Sequence, residues 1–121
     1  MGRRVERVAA QITRDVGQIL LSKVKDPDLG FVTITHSEIS GDLKYARIFY
    51  AVFGEETDSE RTAMALERAT GFVRRELAAM LGLRYTPELK FVLDTAYIKG
   101  MEVMDLIRDL DDASPRGADG S

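Results

Sequence analysis

The sequence predicts an α+β domain in which helices lie on one face of a three-stranded sheet. Three observations carry this. An apolar series at helical spacing opens the chain, two neighbouring segments alternate with period two, and a short apolar strand follows a second helical stretch.

In the first element, Val5, Val8, Ala9, Ile12, Val16, Ile19 and Leu20 recur at intervals of three and four residues, which predicts a helix from about Arg4 to Lys23. Asp26-Pro27 and Gly30 stop it. "VTITHSEIS" and "YARIFYAVF" are rich in β-branched and aromatic residues, and Ser40 to Leu43 between them supplies a turn, so the pair reads as a β-hairpin. "GEETDSE" is an acidic loop in which Thr57, Asp58 and Ser59 are N-cap candidates. The helix they would open places Leu66, Ala69, Val73, Leu77 and Leu81 on one side, and its phase runs straight through Thr70-Gly71. Gly71 is thus either a tolerated flaw or a hinge. Arg84 to Pro87 break the pattern, "ELKFVLD" is a third strand, and a weaker amphipathic segment spans Ala96 to Leu110. Residues 1–110 are expected to form one domain, and the small, polar, acidic residues 111–121 a disordered tail.

A chain of 121 residues with 45% apolar content suits a single core. It has no cysteine, which excludes disulfides and thiolate metal sites. The N-terminus builds no signal-peptide h-region, and no apolar run is long enough to span a bilayer, so a soluble, cytoplasmic protein is expected. The net charge of −3 is unevenly spread: residues 1–25 carry +4, 26–60 carry −6, 61–93 carry +3 and 94–121 carry −4. A polyanion can meet the basic blocks while the acidic ones face solvent or protein.

Enzymatic chemistry finds little support. His36, the lone histidine, alternates with Ile34 in a strand and reads as a satisfied or half-buried hairpin residue before a catalytic base. There is no nucleophile elbow, no Walker loop and no G-x-G-x-x-G, and Asp26 and Asp28 flank Pro27 as turn residues rather than metal ligands. No catalytic residue, metal or cofactor is expected. The arginines are better arranged. Arg61, Arg68 and Arg75 are spaced by seven on the side of their helix opposite Leu66, Val73 and Leu77, and Arg3, Arg7 and Arg14 form a similar row on the first helix. Solvated charged faces explain such rows, and so does phosphate binding, for which arginine has the matching fork. A second reading uses the sheet: Tyr45, Arg47, Phe49, Ala51 and Phe53 share one side of the second strand and would suit a protein partner if that side is open.

Lys25-Asp26-Pro27-Asp28-Leu29-Gly30, the Ser40-to-Leu43 turn, Ala69-Thr70-Gly71 and "PELKF" together make the chain resemble the bacterial ribosome-binding factor A family over about residues 4–110. The resemblance implies a single KH-like domain of the second type, in the order helix-strand-strand-helix-helix-strand. It implies that Ala69-Thr70-Gly71 replaces the GXXG loop with which KH domains clamp a nucleic-acid backbone. Gly71 would then bend the chain and let a phosphate approach, the following helix N-terminus would offer free amides, and Arg68, Arg74 and Arg75 would hold neighbouring phosphates. Arg61, Arg3 and Arg7 are outer candidates. The implied function is noncatalytic: late maturation of the small ribosomal subunit through its pre-rRNA near the neck, important in the cold, by a monomer with no membrane or small-molecule partner. The chain departs from the family pattern at Asp28, where arginine is common.

Overall fold

The computed structural model describes residues 2–113, with side chains for residues 3–110. The elements run α1 (Gly2–Ser22), β1 (Val32–Ile39), β2 (Tyr45–Val52), α2 (Glu56–Leu81), β3 (Glu88–Leu93) and α3 (Thr95–Ala113). The strands form one mixed sheet in the order β1-β2-β3, with β1 antiparallel and β3 parallel to β2.

The alternation of β2 is resolved by burial. Ala46, Ile48 and Tyr50 are buried and face the helices, whereas Tyr45, Arg47 and Phe53 are exposed. Against the inner face pack Ile12, Val16 and Ile19 of α1 and Leu66, Val73 and Leu77 of α2, all essentially inaccessible to solvent. Each such side chain contributes about 1.5–3 kcal/mol relative to an exposed one, so the two helical faces hold the domain together.

In β1 the register slips between Ile34 and His36, a bulge at Thr35. The bulge reverses the phase of the strand. Ser37 turns inward, where its hydroxyl receives a hydrogen bond from Thr13 Oγ1 at 2.9 Å, and His36 turns outward. His36 is the half-buried hairpin residue expected, its side chain 48% exposed, but the bulge sets it on the face away from Ile34, where its ring stacks on Phe49 at 4.3 Å.

The N-cap of α2 is Glu55, ahead of the three expected candidates; Asp58 instead accepts the Glu55 amide at 3.0 Å from inside the first turn. At the other end Gly82 closes the helix in the left-handed region, with φ 66°. Asp94 begins α3 by accepting the Tyr97 amide at 2.9 Å, and Tyr97 meets the Phe53 ring edge-on. Beyond that α3 stands out from the sheet, with Met104, Ile107 and Leu110 exposed. The helix continues to Ala113, and the rest of the expected tail, residues 114–121, lies outside the described residues.

Candidate nucleic-acid interface

α2 runs without interruption through the Ala69-Thr70-Gly71 stretch. The expected elbow, with a second helix opening after it, is absent from this fold, and so are the free amides it would offer, because inside a helix each amide bonds four residues back. The energetics favour continuity. A glycine in a helix interior costs about 1 kcal/mol, whereas Val73 and Leu77, two and six residues on, gain more than that by staying on the buried face. Ala69 packs against the core, and the Thr70 hydroxyl is committed to the Leu66 carbonyl at 2.8 Å. Gly71 alone of the three is exposed. A Cβ built there would meet only Arg75 Nη1, at 3.7 Å. Nothing among the described residues requires glycine at this position.

The predicted arginines divide by partner. Arg74 is half-buried: its Nε donates to the Pro87 carbonyl at 2.9 Å, its Nη2 to the Thr86 carbonyl at 2.8 Å, and it pairs with Glu88 at 3.1 Å. It fastens the α2–β3 connection to the side of α2. Arg68 turns back to the Asp26-Pro27-Asp28 turn, contacting Asp26 at 2.8 Å and Asp28 at 3.3 Å. Its side chain, followed by the Asp28 amide, holds the Asp26 carboxyl below the usual carboxylate range. The aspartate at position 28, a departure in sequence, is thus a second carboxylate on Arg68. Arg61 pairs with Asp58 at 2.7 Å, one turn earlier on its own helix.

Arg75 is exposed beside Gly71 and has no ion pair among the described residues. Arg3 and Arg7 are exposed in the opening turns of α1. The structure does not bring them to Gly71: α1 is tied to α2 through Lys23 and Glu76, at 2.7 Å, about 24 Å along the helix from Arg7.

With the connection pinned by Arg74, Gly71, Arg75 and Ala78 form one wall of a shallow groove whose other wall is Arg84, Tyr85 and Thr86. The groove continues past Tyr85 to Lys44 and Tyr45. In the sequence Arg84 to Pro87 read only as a helix breaker. A signal is there, an aromatic residue joined to an arginine just after a basic helix, but nothing in the sequence says that the connection folds back alongside Gly71.

The opposite face of the sheet offers less. Thr35, His36 and Asp94 lie together in an arrangement that superficially resembles a catalytic triad, but the Thr35 hydroxyl donates to Asp94 at 2.6 Å, so the imidazole is not placed to take its proton. That contact comes first in holding the Asp94 carboxyl below its ordinary range, ahead of the Tyr97 amide and His36. Arg47 is paired with Glu38 at 2.7 Å, and Phe49 is stacked beneath His36. Among the described residues no helix is long and apolar enough to cross a membrane.

Comparison with known proteins gives a consistent result. The family described as "Ribosome-binding factor A" matches residues 4–107. The ribosome-binding factor A of Prochlorococcus marinus (strain NATL1A) is 43% identical over 111 residues, 90% of each chain. The crystal structure of ribosome-binding factor A from Thermus thermophilus superposes with a TM-score of 0.66 at 26% identity, covering 74% of this chain and 94% of that one. A homology model of a Thermus thermophilus factor, fitted into a cryo-EM map of its complex with the 30S subunit, gives a TM-score of 0.61 at 25% identity over 73% and 92% of the two chains. The sequence match spans residues 4–107 and the structural matches about three quarters of the chain, and the chain belongs to the ribosome-binding factor A family.

Proposed function

We propose that this chain is a noncatalytic RNA-binding factor that joins the small ribosomal subunit late in its maturation, contacts pre-rRNA near the neck and assists its processing. It acts in the cytoplasm, as a monomer, and without a cofactor. Family membership supports ribosome association, and the 30S complex of the Thermus thermophilus relative supports the choice of subunit. The observation that carries the RNA contact is Gly71. It is exposed, costs helix stability, is not needed by any neighbouring atom of the described residues, and lies against Arg75. Glycine at such a place suits the close approach of a ligand backbone, and arginine suits its phosphate.

In this arrangement Gly71 and Arg75 are the centre of the interface. Ala69 and Thr70 hold that turn of α2 in place, and Arg74 shapes the groove. Arg68 and Arg61 reach phosphate only by exchanging a carboxylate for it, and Arg3 and Arg7 serve a separate part of the RNA. A role in cold adaptation follows from the same contact: misfolded RNA helices escape slowly at low temperature, so a protein that binds the native arrangement better shifts the population toward it.

Gradient sedimentation of a lysate tests the proposal. The protein is expected to travel with free small subunits and to be lost from complete ribosomes. Arg75→Glu should remove it from the subunit peak with its melting temperature unchanged. Binding should weaken with salt, with a log-log slope of roughly −0.7 to −0.9 per phosphate neutralised. Sedimentation with complete ribosomes, or indifference to both salt and Arg75→Glu, would overturn it.

A further inference from the structure

Tyr85 is 74% exposed on a segment held firmly to α2, an arrangement that buries little of the ring for the protein's own benefit. The Arg74 hydrogen bonds to the carbonyls of Thr86 and Pro87, the two residues after it, fix where the ring stands. The guanidinium of Arg84 lies over the ring, 5.4 Å from its centroid. On one side the groove leads to Gly71 and Arg75, and on the other to Lys44 and to Tyr45, which is itself 62% exposed.

We propose that Tyr85 is a stacking platform for an unpaired base of RNA whose backbone passes Gly71 and Arg75. The inference rests on the RNA-binding reading above and adds the class of RNA: single-stranded, with at least one base turned out of any helix. Two features of the groove point to this class. Phosphate contacts alone serve duplex and single strand alike, but an exposed ring flanked by cations matches the π-face and the charge that only an unpaired nucleotide presents together. The ring is also part of the groove's wall, reached from the same opening as Gly71. Arg84 lies against the tyrosine by a cation–π contact and puts a guanidinium in the same wall of the groove, where it can meet a phosphate. Tyr45 offers a second ring further along the same path.

The test is the affinity of the full chain for a short single-stranded RNA of mixed sequence, for the same strand annealed to its complement, and for a strand with abasic positions. Tyr85→Ala is expected to weaken the single strand by about five- to 150-fold, the range set by loss of one stacked base. Tyr85→Phe keeps the ring and should keep the affinity. The Tyr85→Ala loss should shrink for the abasic strand and be absent for the duplex. If Tyr85→Ala binds as the unaltered protein does while Arg75→Glu does not, the stacking platform is wrong and the RNA-binding groove stands. If neither substitution matters, the groove itself is wrong. An equal loss on duplex and single strand also overturns the proposal, since it would show that Tyr85 acts without an unpaired base.

Discussion

Replacing Gly71 with alanine separates folding from binding. In the free protein the change should stabilise. Alanine gains about 1 kcal/mol over glycine in a helix interior, and the new methyl group meets one atom, Arg75 Nη1, at 3.7 Å, an ordinary contact at the end of a flexible side chain. For a chain of 121 residues that gain corresponds to a rise in melting temperature of about 3–6 °C. In the complex the sign reverses. A backbone lying against the Cα of Gly71 meets a methyl group instead, and overfilling a close contact costs about 1–3 kcal/mol, a loss of roughly five- to 150-fold in affinity. Calorimetric melting gives the first quantity and co-sedimentation with small subunits the second. A lower melting temperature would refute the continuous helix, since only a turn that alanine cannot adopt would be harmed. A higher melting temperature with unchanged binding would refute close approach as the reason for the glycine.

Thr62 is buried in α2 and its hydroxyl donates to the Leu29 carbonyl at 2.9 Å, so Thr62→Val leaves that carbonyl unpaired and should cost about 1–3 kcal/mol, read as a lower urea midpoint at constant slope. Arg74→Ala should speed amide exchange across residues 84–88 and destabilise, whereas Arg75→Ala, on a surface without such partners, should change stability by less than about 0.5 kcal/mol. Asp94 should show in the acid limb of stability. Its carboxyl titrates below the ordinary 3.8 in the native state, so the stability it gives is complete above that value and is lost as pH falls through the lowered native one. Asp94→Asn should therefore melt lower than the unaltered chain at neutral pH and approach it in strong acid, and a gap that widened with acid would contradict the Thr35 and Tyr97 contacts.

The elements are legible where burial writes a period into the sequence. The α1 series predicts Arg4 to Lys23 and the helix is Gly2–Ser22; the hairpin and third strand appear as Val32–Ile39, Tyr45–Val52 and Glu88–Leu93. Three things are not legible, each for a physical reason. The bulge at Thr35 keeps the residue types of a regular strand and shifts only their phase, so simple alternation puts His36 on the wrong side. The unbroken α2 contradicts a local glycine signal because the apolar spacing on either side of it outweighs that signal. The partners of Arg68 lie 40 and 42 residues away in sequence, so that distance along the chain conceals a carboxylate pair that reaches the same face of α2 only after folding. Of the candidate site, the glycine and the arginines can be read; the aromatic wall cannot, because tertiary packing alone sets a β-connection beside a helix.

These ion pairs also explain how an acidic chain can present a surface to a polyanion. Arg61, Arg68 and Arg74 are each matched to carboxylates, so they brace the fold and add little field of their own. What acts on an approaching strand is local charge, because screening at physiological salt limits its reach to about 8 Å. Glu56, at the start of α2, lies about 22 Å along the helix from Gly71, too far to repel a phosphate there. Asp26 and Asp28 are closer, but both are paired with Arg68, which offsets part of their charge. Arg75 and Arg84 are exposed cations of the groove; against them stand Glu88 at its far end, paired with Arg74, and the exposed Glu67 one turn before Gly71, so the attraction for a polyanion is confined to one stretch of the surface. A few phosphate contacts of this kind, supplemented by stacking, would suit the proposed role, in which RNA is held firmly enough to be ordered and is then released.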